Sequence, residues 1–128
     1  MSGRVVHFEI PVDDGDRARS FYKEAFGWQI QHMPEMDYTL VTTGPGGEQG
    51  PSETGFINGG LMSRSESLAG ATVVVVDVDD IDAALAKIGS LGGSTVQGRL
   101  PVGDMGFSAY AKDSEGNVIG LWQTAAGG

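Results

Sequence analysis

The sequence has no cysteine, few basic residues and no long apolar run, and each absence narrows the range of functions. Without cysteine, disulfides, thiolate metal sites and a cysteine nucleophile are excluded. Eight basic residues against 17 acidic ones give a net charge of −9. That charge disfavours nucleic acid and anionic membranes as partners. It suits a neutral or cationic small molecule, but solubility of an acidic surface is the favoured explanation. No bilayer-spanning run and no signal peptide is recognisable, so a cytoplasmic protein without a membrane partner is expected.

The sequence does contain an internal repeat. The segment Val12-Asp13-Asp14 recurs 66 positions later as Val78-Asp79-Asp80. The same offset relates three further pairs, which are Asp16 and Asp82, Ala18 and Ala84, and Gly27 and Gly93. A gapless match of this length indicates two copies of one supersecondary unit, and a ligand site is expected between the copies. At 128 residues the chain is long enough for one domain.

The first copy has the pattern β-α-β-β-β. Residues 5–12 alternate in polarity, with Phe8 and Ile10 on one face and His7 and Glu9 on the other, which predicts a half-buried strand. Apolar residues at three- and four-residue spacing predict an amphipathic helix that ends before Gly27. Further strands are predicted near 28–33, 38–43 and 55–62, with a loop rich in glycine and proline over 44–55.

The second copy repeats this order. A valine-rich strand over 72–78 precedes a helix from Ile81 to Leu91. The acidic residues before each helix are interpreted as helix caps and not as catalytic groups. Strands are predicted near 94–100, 106–112 and 118–123, with a turn at 113–116. The two modules, about 4–62 and about 71–124, predict an α+β fold with helices on one face of a mixed sheet, in a single domain over 1–128.

These residues resemble the vicinal oxygen chelate superfamily, which includes glyoxalase I, bleomycin-resistance proteins and extradiol dioxygenases. The resemblance is carried by VVHFEIPVDDGDRARSFYKEAFGW in the first copy and by VVVVDVDDIDAALAKIGSLGG and AYAKDSEGNVIGLWQ in the second. It implies two tandem βαβββ modules that form a curled mixed sheet around a cavity, with the helices on the outer face. It also implies a homodimer and, in many members, a divalent metal in the cavity.

Metal-dependent members of this family carry ligands near the start of each first strand and within each last strand. Those places correspond here to His7, Val73, Gly60 and Gly120, so only the first holds a ligand-type side chain. Glu9 shares the face of His7, and His32 and Glu53 are the other donors considered. The sequence therefore favours a site without metal or other cofactor over one with a divalent metal.

A cup lined by apolar groups and a few polar ones is typical of a small-molecule pocket. His7 and Glu9 are the best catalytic candidates, and Trp28 and Met105 are further lining candidates. Gly60 and Gly120 either widen the cavity or relieve curvature of the sheet, and both interpretations stay open. Parity places Trp122 on the face of Gly120, opposite Ile119 and Leu121. The predicted ligand-binding residues are His7, Glu9, Tyr38, Asn58, Gly60, Met62, Val73, Phe107, Gly120 and Trp122.

The resemblance supports two functions. The favoured one is a metal-independent protein that binds a small, largely apolar molecule, for example by sequestration as in the bleomycin-resistance branch. The alternative is a metal-dependent lyase, isomerase or dioxygenase of the glyoxalase I or extradiol dioxygenase type, in which the metal would polarise vicinal oxygens of the substrate.

Overall fold

The computed structural model describes residues 3–47 and 50–125. It confirms the α+β class: two α-helices accompany strands that pair both in parallel and in antiparallel fashion. The elements in chain order are β1 (Val5–Val12), α1 (Gly15–Phe26), β2 (Gln29–Met33), β3 (Tyr38–Thr42), β4 (Gly46–Gly47), β5 (Gly50–Pro51), β6 (Asn58–Ser63), β7 (Val73–Asp77), α2 (Ile81–Ser90), β8 (Ser94–Val102), β9 (Gly106–Lys112) and β10 (Val118–Thr124). The chain divides into two compact units, an N-terminal unit of residues 7–72 and a C-terminal unit drawn from residues 1–6 and 73–128.

The N-terminal unit has the predicted β-α-β-β-β order. Its strands lie in the order β2-β3-β6-β1, with β1 parallel to β6 and the other neighbours antiparallel. Helix α1 begins after Asp14, whose carboxylate accepts a hydrogen bond from the backbone N–H of Arg17 at 3.1 Å. It ends at Gly27, which adopts φ 74°, a left-handed conformation that favours glycine.

The 44–55 segment, predicted as a loop, contains the two short strands β4 and β5, which pair with each other. Residues 48 and 49 of that segment lie outside the described part of the chain. The last strand of the unit begins at Asn58, three residues later than predicted. Gly55 itself has a φ of 106°, which is incompatible with an extended strand.

The C-terminal unit repeats the pattern, with strand order β7-β10-β9-β8 and with β7 parallel to β10. Asp80 caps α2 by accepting from the N–H of Ala83 at 3.1 Å. The core of this unit is formed by Ile81, Ala109 and Leu121, each at most 2% exposed. Both predicted acidic caps are therefore confirmed, one in each copy.

None of the helices within residues 3–47 and 50–125 is long and apolar enough to cross a membrane. In each unit the helix packs on its own sheet, α1 against β2 and β6 and α2 against β8, β9 and β10. Within residues 3–47 and 50–125, neither α-helix lies on the other face of its own sheet. The two faces are called the helix face and the open face below.

Candidate functional site

The predicted site residues of the N-terminal unit lie together on its open face. In this sheet, directly paired residues project to the same side, and successive residues along a strand alternate. Strand register pairs His7 with Asn58, Glu9 with Gly60 and Tyr38 with Met62. All six therefore share one face, as strand alternation predicted for His7 and Glu9. Phe8, by contrast, lies on the helix face, where it contacts the ring of Trp28 at 5.8 Å.

The hydroxyl of Tyr38 is the centre of this face. It lies 2.9 Å from Nε2 of His7 and donates a hydrogen bond of 3.3 Å to Oε2 of Glu9. A phenol has only one proton, and here that proton is donated to Glu9. The contact with His7 is therefore satisfied by the tautomer in which Nε2 carries a proton and donates it to the phenol oxygen. The three side chains thus form a relay that runs from imidazole through phenol to carboxylate.

Gly60 makes room for this relay. A Cβ built on Gly60 would overlap the hydroxyl of Tyr38, so the phenol occupies the volume that a side chain would otherwise fill. The hypothesis that Gly60 widens a cavity is therefore wrong for this unit, since the space above it is occupied by Tyr38. Gly59 has the corresponding role on the helix face, where a Cβ would overlap the ring of Phe8. The paired glycines admit one aromatic ring on each side of the sheet.

Burial controls the charge of His7. Removal from water lowers the pKa of His7 below its ordinary value, and the carboxylate of Glu9 opposes this by a smaller amount. The pKa of His7 therefore favours a neutral imidazole at neutral pH. Glu9 is 9% exposed, and its carboxylate is held by the phenol from the neighbouring strand. The relay presents one neutral ring, one hydroxyl and one acidic group, all partly or fully buried.

Asn58 has a local structural role. Its Oδ1 accepts a hydrogen bond of 2.9 Å from the backbone N–H of Thr43. The hydroxyl of Thr43 in turn donates to the carbonyl of Ile57 at 2.7 Å. These two bonds fasten the segment after β3 to the start of β6, so the amide of Asn58 supports the edge of the site. Its role in ligand binding stays a prediction.

The predicted residues of the C-terminal unit do not all share a face. Gly120 pairs with Val75 on the open face, and a Cβ on Gly120 would lie 2.9 Å from Cγ2 of Val75. Because side chains alternate along a strand, Val73 and Trp122 project from the same face. Phe107 pairs with Gln123 and packs against the core beside α2, on the opposite face from Trp122. Phe107 therefore does not share a face with Trp122, and its role in ligand binding stays a prediction. Ile119 and Leu121 face the helix as predicted.

Two further lining candidates, Trp28 and Met105, lie just outside the strands. Trp28 stacks on Tyr22 with ring centroids 5.0 Å apart, in an aromatic cluster on the side of α1. Met105 is 65% exposed. An isolated strand pattern could not reveal either position, because both residues stand at the ends of elements, where the alternation of faces no longer applies.

The residues present do not fit a resident divalent metal. Among residues 3–47 and 50–125, no group of three or more histidine, cysteine, aspartate or glutamate side chains is placed to hold one. His7 and Glu9 share a face, but both are hydrogen-bonded to Tyr38. His32 pairs with Thr39 and therefore projects from the helix face. A structural or catalytic metal ion needs three or four converging donors, and this face provides two.

A depression at the start of α1 was not predicted from the sequence. It lies mainly on the helix face and is lined by Gly15, Arg19, His32, Asp37 and Ser63, among others. In the C-terminal unit the matching place is filled, because Oε1 of Gln123 accepts from the N–H of Ile81 at 2.8 Å. Ser63 is shorter and instead donates to Asp37 at 2.9 Å. A comparison of the two copies at the ends of β6 and β10 would have revealed this difference.

Two copies of a β-α-β-β-β unit, with His7 near the start of the first strand, are similar to the vicinal oxygen chelate superfamily, as the sequence resemblance implies. A family model described as "Bleomycin resistance protein-like N-terminal" matches residues 4–44.

Two named proteins are similar in sequence. The chain is 26% identical over 123 residues to "Putative glyoxylase CFP32" of Mycobacterium bovis, a match that covers 90% of this chain and 43% of that protein. It therefore spans less than half the length of this relative. It is 27% identical to a "Glyoxylase-like domain-containing protein" of Didymella fabae, a match that covers 92% of this chain and 91% of that one.

Solved structures share the fold. A methylmalonyl-CoA epimerase variant of Streptomyces coelicolor, in complex with 2-nitronate-propionyl-CoA, superposes with a TM-score of 0.66 at 19% identity. The superposition covers 98% of this chain and 97% of the epimerase. A hypothetical protein of Bacillus halodurans superposes with a TM-score of 0.67 at 13% identity, over 100% of this chain and 99% of that one. At these identities the likeness concerns the fold alone.

Proposed function

We propose that this protein binds a small organic molecule on the open face of its N-terminal unit, around the hydroxyl of Tyr38, and that it does so without a resident metal ion. The observation that carries the proposal is the relay of His7, Tyr38 and Glu9 above Gly60. Partly buried polar groups beside apolar side chains, here Leu40 and Met62, are the usual means by which a pocket orients a ligand.

The chemistry of this face indicates the class of ligand. Leu40 and Met62 lie on the same side as Tyr38 and provide apolar contact area. The phenol and the neutral imidazole can each hydrogen-bond to a ligand but carry no charge, whereas Glu9 provides the acidic group. A largely apolar molecule with one hydrogen-bonding group fits these residues. With the net charge of −9, a neutral or cationic molecule is favoured over an anion.

The proposed absence of metal rests on the donor atoms. Two residues on this face, His7 and Glu9, have side chains that could ligate a metal, and one atom of each is hydrogen-bonded to the hydroxyl of Tyr38. Position 60 is glycine and has no side chain. Metal binding would require further donors to approach, because two side chains do not complete a coordination sphere. The relay is sufficient to explain why His7 and Glu9 lie together without a metal.

The alternative function is a metal-dependent lyase, isomerase or dioxygenase. It draws support from the glyoxylase names of the sequence relatives and from the epimerase fold. Under that alternative, His7 would be the first metal ligand, and its imidazole would be neutral, as burial favours. The two proposals differ in one measurable property, which is bound metal that depends on His7.

The first experiment measures metal. Protein purified without chelator is analysed for divalent metals by mass spectrometry, beside a His7→Ala variant. We expect substoichiometric metal in both proteins. Stoichiometric metal in the wild type that is lost in His7→Ala would refute the metal-free proposal and favour the enzyme.

The second experiment locates the ligand. A library of small amines, aromatic compounds and acyl thioesters is screened by thermal shift, and hits are titrated by calorimetry. Tyr38→Phe removes the hydroxyl but keeps the ring over Gly60, so we expect hits to bind it at least about tenfold more weakly. Tyr22→Phe is the matched control, because Tyr22 stacks on Trp28 on the helix face. Equal affinity of all hits for both variants would contradict the proposed site.

A further inference from the structure

The peptide bond between Asp14 and Gly15 joins two residue types that react with each other. In such a pair the backbone nitrogen of the glycine attacks Cγ of the protonated aspartate, because glycine has no side chain to block the approach. A C–N bond forms, a C–O bond breaks and one water molecule leaves, which gives a five-membered succinimide. Water then opens the ring at either carbonyl, and the product is aspartate or isoaspartate, with no net change in mass.

Glycine follows an aspartate or an asparagine at two places in the sequence, Asp14–Gly15 and Asn58–Gly59. An asparagine reacts by the same route and releases ammonia instead of water. In an unfolded chain it is the faster of the two, because its amide is uncharged, whereas an aspartate carboxylate must first take up a proton. The sequence alone therefore ranks Asn58 first, but the surroundings of the two pairs favour the opposite order.

The nitrogen of Gly59 is held inside a sheet. Gly59 is buried in β6, which lies between β1 and β3, and its partners there are Phe8 and Val41. Oδ1 of Asn58 accepts a hydrogen bond of 2.9 Å from the N–H of Thr43, which fixes the amide. Ring closure at Asn58 would require this strand to separate from its neighbours. Its free energy therefore approaches that of unfolding the unit.

The nitrogen of Gly15 lies at the start of a helix instead. Asp14 is exposed, and no hydrogen bond from the N–H of Gly15 is found among the residues that the structure describes. The carboxylate of Asp14 turns towards Gly15 once its bond of 3.1 Å from the N–H of Arg17 opens, and the end of a helix opens at low free energy. A Cβ on Gly15 would lie 2.7 Å from Nη1 of Arg19, so a positive charge stands beside the nitrogen and favours its reactive, deprotonated form.

The second copy provides a comparison. Asp80 caps α2 as Asp14 caps α1, and its carboxylate accepts from the N–H of Ala83 at 3.1 Å. The residue after Asp80 is Ile81, which is branched and 0% exposed. Oε1 of Gln123 also accepts from the N–H of Ile81 at 2.8 Å. The attacking nitrogen is therefore crowded and held in α2, whereas in α1 it is accessible.

Asp113, which precedes the small residue Ser114, is protected in another way. Its carboxylate accepts hydrogen bonds from the backbone N–H groups of Asn117 at 2.9 Å and Glu115 at 2.8 Å, and from Nδ2 of Asn117 at 3.1 Å. These bonds, above all those from Asn117, lower the pKa of Asp113 below its ordinary value. Because the ring forms from the protonated carboxyl group, a carboxylate held in its ionised form reacts slowly.

We propose that Asp14–Gly15 is the site at which the folded protein forms isoaspartate, whereas the aspartate and asparagine residues of the other three pairs are protected by their surroundings. In isoaspartate the backbone gains one carbon and the free carboxylate is attached directly to Cα. That carboxylate no longer matches the N–H of Arg17, so the cap of α1 is lost as the protein ages. The proposal does not depend on ligand binding around Tyr38.

The test follows these residues during ageing. The full chain is incubated for weeks near neutral pH and then digested, and mass spectrometry with electron-transfer fragmentation locates isoaspartate and deamidation. We expect isoaspartate at Asp14 to form at least about tenfold faster than at Asp80 or Asp113. It should also form faster than Asn58 loses ammonia. In urea, where the chain is unfolded, Asn58 should react faster than Asp14.

Three variants identify the cause. Gly15→Ala adds a methyl group beside the attacking nitrogen and should slow the reaction at least about tenfold. The fold tolerates it, because the atoms nearest to the new Cβ belong to the flexible guanidinium of Arg19. Asp14→Ser keeps a capping residue without a carboxyl group, so its melting temperature should not fall on ageing, whereas that of converted wild type should fall by about 3–5 °C. Gly89→Ala, a change in α2 with open space around it, is the control and should leave the rate at Asp14 unchanged.

Three outcomes would overturn the proposal. The first is the absence of isoaspartate at Asp14 in the aged, folded protein. The second is deamidation of Asn58 in the folded protein at least as fast as the reaction at Asp14. The third is a Gly89→Ala variant that slows the reaction as much as Gly15→Ala does.

Discussion

The contact between Tyr38 and Gly60 predicts that these positions are energetically coupled. A methyl group at Gly60 would overlap the phenol hydroxyl, so Gly60→Ala forces Tyr38 away from His7 and Glu9. Overpacking of this kind costs about 1–3 kcal/mol, whereas replacing a strand glycine by alanine returns about 0.5–1 kcal/mol through the unfolded chain. We therefore expect Gly60→Ala to lower the free energy of unfolding by about 1–2 kcal/mol.

The sign should reverse when the phenol is absent. In a Tyr38→Ala background the overlap is gone, so adding Gly60→Ala should be neutral or stabilising by about 0.5 kcal/mol. The coupling free energy from the double-mutant cycle is then about 1–2.5 kcal/mol, measured by urea unfolding of the four proteins.

A matched control exists one residue earlier. Gly59→Ala overlaps the ring of Phe8 on the helix face, so it should destabilise the protein to a similar extent in both backgrounds. If Gly60→Ala costs the same free energy with and without Tyr38, the phenol does not occupy the volume above Gly60, and the proposed site loses its physical basis.

Two further predictions concern His7 and Gln123. Since burial lowers the pKa of His7 below its ordinary value, its contribution to stability is complete above the unfolded-state pKa and is lost as pH falls through the folded-state pKa. The free energy of unfolding, measured with urea from pH 8 down to pH 5, should therefore fall less steeply for His7→Gln than for the wild type. Equal slopes for the two proteins would contradict the predicted pKa shift. Gln123→Ala should lower the free energy of unfolding by about 1 kcal/mol and speed hydrogen exchange of the Ile81 amide, because Oε1 of Gln123 accepts a hydrogen bond from that N–H. Gln123→Glu keeps an acceptor atom and is the control. An unchanged Ile81 exchange rate in Gln123→Ala would show that the bond does not protect the helix start.

The sequence alone determined the repeated β-α-β-β-β order, both acidic helix caps and the face on which His7 and Glu9 lie. These features depend on local rules, namely the alternation of side chains along a strand and the pairing of a carboxylate with free N–H groups at a helix start. The 66-residue offset also places Val73 in the second copy at the position of His7, and valine has no donor atom for a metal.

Only the tertiary structure decided what surrounds those residues. The family resemblance assigned Gly60 and His7 to one cavity, but the sequence could not show that Tyr38, from a different strand, fills the space above Gly60. Likewise, the sequence lists Phe107 and Trp122 together as candidate ligand-binding residues, whereas strand register turns Phe107 towards the core beside α2. Register is set by pairing between segments far apart in the chain, and a shift of one residue reverses every side chain. The sequence therefore determines which groups are available, and the pairing of strands decides which of them meet.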